Sequence, residues 1–365
     1  MRKITDNKRL PSFRSIWLLI GLSQLAIHAS AQSVPADLLE LSIDDLLSTN
    51  VDSEVNKDST TSKPWSFSYS YHNSQFSDYL DNSTRLDLDE VLFSPGEEPR
   101  TDKNFPVVPT DIEQEVHSVV LSYDIRADAS VSVSVPYVKQ STDHISIVPG
   151  YSEFNISSSG LGDIAVLGNF RFAESISGHW QAGSGLSLPT GSIDEEGDTP
   201  RAPGSQQLPY TMQLGSGTYD VPAYIAYRGN SYAFDWGLGL SGKLRLGEND
   251  RDYRLGHTIS ASTWLQLTTL SYAKPSLKLT YRYSGEIDGE DESLSVPGPF
   301  PYPAPVVDPS LFGGEVLSLV VGLELPLFSP YRYVDLEFGK PLYQSLNGPQ
   351  SSEDYRFSIT FGVDF

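Results

Sequence analysis

An all-β, antiparallel, up-and-down transmembrane β-barrel of about twelve strands is the fold class this sequence predicts. Three observations predict it. The chain ends on "DYRFSITFGVDF", in which Phe365, Val363, Phe361, Ile359, Phe357 and Tyr355 alternate with polar residues or glycine. That is the two-residue period of a strand with one apolar face. Further segments upstream repeat the period, beginning at Trp65. The connections between them alternate short and long, as tight periplasmic turns and long external loops require.

Before the strands stand two other regions. Residues 1–31 read as a secretory signal peptide. Arg2, Lys3, Lys8, Arg9 and Arg14 precede the apolar stretch "SIWLLIGLSQLAIHA", and Ala29-Ser30-Ala31 supplies a cleavage site. Residues 32–63 read as a periplasmic leader. Leu38, Leu39, Leu41, Ile43, Leu46 and Leu47 suit a short amphipathic helix, and a polar linker follows. Residues 64–365 are then the barrel. The exported chain carries no cysteine, so disulfides cannot hold it, and its net charge of −22 excludes nucleic acid as a partner.

The strands follow in order. "WSFSYSYHN", "HSVVLSYDI", "VSVSVPYV" and "DIAVLGNFRF" come first. "HWQAGSGLSL", "YDVPAYIAY", "YAFDWGLGLSGKLRL" and "HTISASTWLQL" come next, then "PSLKLTYRY", "EVLSLVVGLEL", "YVDLEF" and the closing strand. Each is close to the length a tilted strand needs to cross a bilayer. The predicted long connections are 74–113, 139–160, 189–217, 285–313 and 340–353. A closed barrel satisfies every backbone group in lipid, which an open sheet does not. The non-apolar positions are small and wet, as a lumen would be. Tyr71, Tyr123, Tyr137, Phe172, Tyr219, Tyr227, Tyr283, Phe338 and Phe365 fall at strand ends, where interfacial aromatic girdles belong.

Three stretches, "GLGDIAVLGNFRF" (160–172), "GLSLPTGSID" (185–194) and "QLGSGTYDVPAYIAYRG" (213–229), resemble the phenol-degradation meta-pathway family of Gram-negative outer-membrane barrels, in the order GLGD, PTG and GSGT-x-D. That resemblance implies a transporter-like channel of undefined substrate in the cell outer membrane, with no cofactor. The leader "LLELSIDDLLSTNV" resembles the post-signal segment of TonB-dependent receptors, which implies a periplasmic partner, although the chain is too short for their plug and barrel. The terminal strand resembles the signature read by the barrel-assembly machinery, with Phe365, Val363 and Phe361 as its signal.

If the apolar set faces lipid, the opposite set faces the lumen by parity. It brings inward Lys243, Arg245, Lys278, Arg282, Arg228 and Arg356, together with Asp163, Asp220, Asp235, Asp335, Glu337 and Glu324. With the first strand running outward, Lys243, Arg245, Arg282, Arg356, Asp335, Glu337, Asp163 and Asp220 fall in the external half. Such charges set a transverse field that tunes ion selectivity, or pair with one another to fill a narrow barrel.

An enzyme is not expected. His117 stands beside Ser118 and His257 beside Thr258, but neighbours on a strand point to opposite faces and cannot form a nucleophile–base contact. No metal is expected either. The acidic runs at 193–198, 247–252 and 286–293 lack EF-hand spacing and read as a solvated rim that divalent ions can bridge to lipopolysaccharide. The proline-dense "PGPFPYPAPVVDP" (297–309) reads as a loop folded over the pore mouth. The expected function is passive or facilitated passage of small solutes, aromatic or apolar ones among them. A structural or adhesive surface barrel with a filled lumen is the alternative, and an outer-membrane lipid hydrolase the remotest reading.

Overall fold

The computed structural model describes residues 64–327 and 332–365. The signal peptide and the leader lie outside the described residues. The strands are β1 (Trp65–Asn82), β2 (Thr84–Leu86), β3 (Val107–Arg126), β4 (Ala129–Ser146), β5 (Glu153–Leu161), β6 (Ile164–Ser175) and β7 (Gly178–Leu188). There follow β8 (Glu196–Asp198), β9 (Ser205–Gln207), β10 (Tyr219–Asn230), β11 (Phe234–Leu246), β12 (Tyr253–Arg254) and β13 (Thr258–Leu267). The last are β14 (Lys274–Ser284), β15 (Asp288–Gly289), β16 (Gly314–Pro326) and β17 (Arg332–Asp364).

Eleven of these form an antiparallel ring in the order β1-β3-β4-β6-β7-β10-β11-β13-β14-β16-β17, closed by β17 against β1. The last strand doubles back. Its first half pairs with β16, from Tyr333 to Leu346, and its second half pairs with β1, from Leu346 to Asp364. β5 and β6 both lie against β4 and make one crossing, broken at Gly162 and Asp163. The ring therefore has twelve crossings. Trp65 and Phe365 close it with a reciprocal backbone pair, the two N–H···O distances being 3.2 and 2.9 Å.

Facing follows the alternation. Along β11, Phe234, Trp236, Leu238, Leu240, Leu244 and Leu246 are exposed, while Lys243 and Arg245 are buried. Along β3 and β4, Val119, Leu121 and Val133 point out, and Ser118, Ser132 and Ser134 point in. Aromatic pairs mark the short-turn end of the outer wall: Trp65 with Tyr123 at 4.7 Å, and Trp180, Tyr227 and Trp236 in a row at 5.3 and 5.2 Å.

Several strands run further than the sequence pattern predicts. β1 and β3 span 18 and 20 residues, so the predicted loop at 74–113 shrinks to the segment between Asn82 and Val107. The predicted loop at 139–160 is largely strand, because β4 reaches Ser146 and β5 begins at Glu153. The predicted loop at 340–353 is the tip of the β17 hairpin with both arms paired. The physical reason is the same in each case. Beyond the apolar belt the outer face turns to Glu113, Glu115, Lys139 and Asn155, so hydropathy no longer alternates, yet the backbone groups still pair. The outer side chains knit together there: Lys139 meets Glu115 at 2.9 Å, and the Asn155 amide donates to Asp143 at 2.8 Å.

Candidate functional site: the lumen and its cap

Every long connection contributes to apolar clusters at one end of the ring. Val107, Tyr210, Tyr253, Leu255, Ile287, Leu294, Ala304, Val307, Phe312 and Leu346 form the largest. They come from strands and loops on opposite sides of the ring, so the loops must cross the mouth to meet. The proline-dense segment is central, as expected: Tyr302, Ala304, Val306 and Val307 all belong to this cluster. Polar bonds tie the loops to it. Val107 N–H donates to the Pro303 carbonyl at 3.1 Å, and Arg100 donates to the Tyr302 carbonyl at 2.9 Å. Arg201 donates to the Ser293 carbonyl at 2.7 Å. Arg251 bridges Asp194 at 2.7 Å and Asp291 at 3.1 Å. The acidic loop runs are thus partly engaged in the cap rather than wholly solvated.

The β7–β10 connection also folds inward, along the lumen wall of β4 and β5. Ser158 and Gln140 donate to the carbonyls of Met212 and Gln213, at 2.6 and 2.9 Å. Leu214 packs with Val116 and Val138. The sequence motifs explain the turn. Asp163 of GLGD accepts from Gly191 N–H of PTG at 2.9 Å, and from the N–H and hydroxyl of Ser216 of GSGT at 2.8 Å each. Thr190 accepts from Ile164 N–H and donates to the Gly162 carbonyl, both at 2.9 Å. A Cβ at Gly215 would lie 2.6 Å from both Asp163 Oδ1 and the Gly191 carbonyl, so glycine is what lets these segments touch. Asp220 completes the group. It accepts from Thr218 Oγ1 at 2.7 Å and forms an ion pair with Arg245, both side chains being 1% exposed.

The other predicted lumen charges fall into place as follows. Lys278 meets Glu337 at 2.8 Å. Arg356 grips Glu353 through two nitrogens, at 2.7 and 2.6 Å. Arg282 and Lys243 are buried, in register with Ser260 and Thr258 of β13. Lys243, Arg245, Arg282, Asp163 and Asp220 lie in the long-loop half, as expected. Asp335 and Glu337 do not. They sit opposite Glu324 and Gly322, near the start of β17 and the short-turn end. The first arm of β17 climbs from a short turn, so its early residues belong to that end. Arg356 lies beside Ser74, at mid-height on β1.

Parity missed Glu353. A register shift between Gln75 and Phe76 inserts Asp354 as an extra residue, and the residue before it turns inward. Parity also bypassed Lys274, which meets Glu324 at 2.6 Å across adjacent strands; that register was readable once strand order was assumed. The histidines scatter. His117 faces outward and accepts from or donates to the Tyr69 hydroxyl at 2.8 Å, while Ser118 is buried on the opposite face. His144 stacks on Phe154 at 4.6 Å. Among the described residues no group of three acidic or histidine side chains could hold a metal ion.

Fold and site together define a closed β-barrel with an apolar outer belt, an ion-paired polar lumen, an inward-folded loop and a capped mouth. No protein-family model matches the sequence, and no curated protein matches it. Among solved structures the fold is similar to that of an outer membrane channel from Pseudomonas putida F1, with a TM-score of 0.51 and 13% identity over 84% of this chain and 97% of that one. A Pseudomonas aeruginosa FadL homologue (TM-score 0.39, 10% identity, 83% of this chain and 91% of that one) is a more distant match. The KdgM porin stands equally far off, with a TM-score of 0.38 and 10% identity over 82% of this chain and 99% of that one. The first likeness is one of fold, and the other two add nothing to it.

Proposed function

We propose that this chain is an outer-membrane channel or transporter-like barrel that passes small solutes by passive or facilitated diffusion. The observation that carries the reading is the division of its surface. Leucine, tryptophan and tyrosine cover the outside of a closed ring, while Asp220, Arg245, Lys278 and Glu337 face inward. An apolar belt of that extent on a protein in water would drive aggregation, and in lipid it is solvated. The lumen charges avoid hydrocarbon by pointing at water or at each other.

In this reading the short turns face the periplasm and the cap faces outward, where its acidic loops meet lipopolysaccharide. The 1–31 segment directs export, and the 32–63 leader offers a contact to a periplasmic partner. Phe365, Val363 and Phe361 present the assembly signal at the periplasmic interface. Membership of the phenol-degradation meta-pathway family, and with it aromatic or apolar cargo, belongs to the same proposal. Its support is the convergence of the GLGD, PTG and GSGT-x-D segments on Asp163.

The cap favours a second reading, a surface barrel that works through its loops. Planar-bilayer recording of the refolded protein separates the two. Discrete conductance steps are expected, and larger ones from a variant lacking residues 290–310. A variant as silent as the intact chain would retire the channel and favour the loops.

A further inference from the structure

The ring is closed at the level of the apolar belt, but above it one strand has a neighbour on one side only. β5 pairs with β4 and with no other strand among the described residues. On its far side the wall ends, because β7 pairs with β6 only up to Leu188 opposite Ile164, and the chain beyond Leu188 turns into the lumen. The parity of the β4–β5 ladder is fixed at both ends. Gly162 N–H donates to the Pro136 carbonyl at 3.0 Å, and Ser146 N–H to the Ser152 carbonyl at 3.1 Å. In an antiparallel pair the bonded residues alternate. The even residues of β5 therefore bond to β4, and Asn155, Ser157, Ser159 and Leu161 aim their N–H and C=O groups away from it. Those groups make no backbone hydrogen bond among the described residues. The same four side chains are exposed on the outer wall. The strand, "EFNISSSGL", carries no proline and no lysine, the residues that commonly blunt such an edge.

We propose that the open edge of β5 is a docking site for an extended cationic polypeptide, which adds to the wall as one more antiparallel strand. Ladder bonds to the odd residues hold it. Its charge follows from the surroundings. Asp111, Glu113, Glu115, Asp143 and Glu153 stand on the outer face of this wall, and Lys139 beside them is already engaged by Glu115. Lysine or arginine at alternate outward positions of the guest is complementary to that face. The inner side chains of β5 include Phe154 and Ile156, which pack with Leu208 and Met212, so the inward positions of the guest are apolar. A second copy in the same membrane does not fit. A two-fold axis along the membrane normal would cross two tilted β5 strands at about 80°, and no ladder forms at that angle. The proposal goes beyond the channel reading and does not depend on conduction.

The test is fluorescence anisotropy of a dye-labelled peptide of alternating lysine and valine, as long as residues 155–161, with the refolded full chain in neutral detergent at physiological salt. Binding is expected, and roughly tenfold weaker binding when glutamate replaces lysine. N-methylation of the lysines keeps their charge but removes the N–H groups that face β5, and should weaken binding at least about tenfold. N-methylation of the valines, whose N–H groups point away from β5, should leave it unchanged. In the barrel, Ser157→Pro deletes one edge N–H while the even residues stay bonded to β4, a place where proline is tolerated. It should weaken the lysine–valine peptide roughly tenfold. Heat-modifiable gel migration certifies that the variant is folded, and if it is not, the two N-methylated peptides on the parent carry the test. Binding that ignores methylation of the lysines is charge attraction alone and overturns the docking site. So does an absence of binding, the result expected if the 32–63 leader or a second copy already holds the edge. An electrically silent barrel that binds the peptide sinks the channel reading alone, and a conducting barrel that ignores the peptide sinks the docking site alone.

Discussion

At Asp163 a single carboxylate gathers three segments that lie apart in sequence, through Gly191 and Ser216. Gly215 makes that gathering possible by leaving no Cβ against Asp163 or Gly191. Gly215→Ala should therefore release the inward loop. Limited trypsin digestion of the folded barrel should then cut faster at Arg201 than in the parent, and unchanged cutting would show that the loop is held elsewhere. Asp220 and Arg245 make a different point. Their pair is almost wholly buried, so removing one partner strands the other. Asp220→Ala should cost about 3–5 kcal/mol of unfolding free energy in a denaturant titration, and Asp220→Ala with Arg245→Met should recover most of it. A double variant as unstable as the single would mean the pair is not the source of the loss. These residue types were legible as lumen charges in the sequence. Their partners were legible only where the register was regular, as for Asp220 opposite Arg245. Glu353 was hidden by one extra residue.

Among the strands, β11 shows best what alternation encodes. Its outward Leu240 is 48% exposed, while Lys243 and Arg245, on the opposite face, are 4% and 2% exposed. Leu240→Arg places a charge in the apolar belt and should cost about 2–4 kcal/mol in barrel stability. Ser241→Arg, one residue on and facing inward, should cost far less. Equal losses from the two would contradict the facing. The same alternation located the strands in the sequence but not their ends. In lipid the outer face must be apolar, so the pattern is sharp. In water above the belt, Glu115 and Lys139 serve as well as leucine, and only backbone pairing continues. Hence β1, β3, β4 and both arms of β17 outran the sequence pattern.

At the scale of the whole molecule, the long loops pack into a cap at one mouth of the ring. Its proline-dense segment carries Asp308, whose carboxyl is pushed above the ordinary aspartate value by burial, against the opposing help of Ser310 N–H and hydroxyl. The sign follows. A carboxyl that holds its proton more firmly when folded favours the closed cap in acid, and that advantage fades as pH rises through its folded pKa. Asp308→Asn keeps an acceptor for Ser310 and removes the buried charge. It should slow hydrogen exchange across 302–312 at pH 7, with the difference from the parent shrinking towards pH 4. A difference that grows in acid would contradict the assignment. At the other end, loss of Phe365 breaks the backbone pair with Trp65 and the proposed assembly signal. The truncated chain should be exported normally yet accumulate outside the membrane fraction, and normal insertion would remove the terminal residue from that role.

Local chemistry in the chain set the barrel, its facing and the number of its crossings, because a two-residue period imposed by lipid on one side and water on the other repeats in every strand. The same chemistry marked the lumen charges and the loop that covers the mouth. It did not place Asp335 and Glu337 at the short-turn end, join Asp163 to Gly191 and Ser216, or leave β5 without a strand on its far side. Those arrangements depend on which strands stand side by side, on their stagger and on where a bulge interrupts the count. Such relations arise between distant segments only when the ring closes.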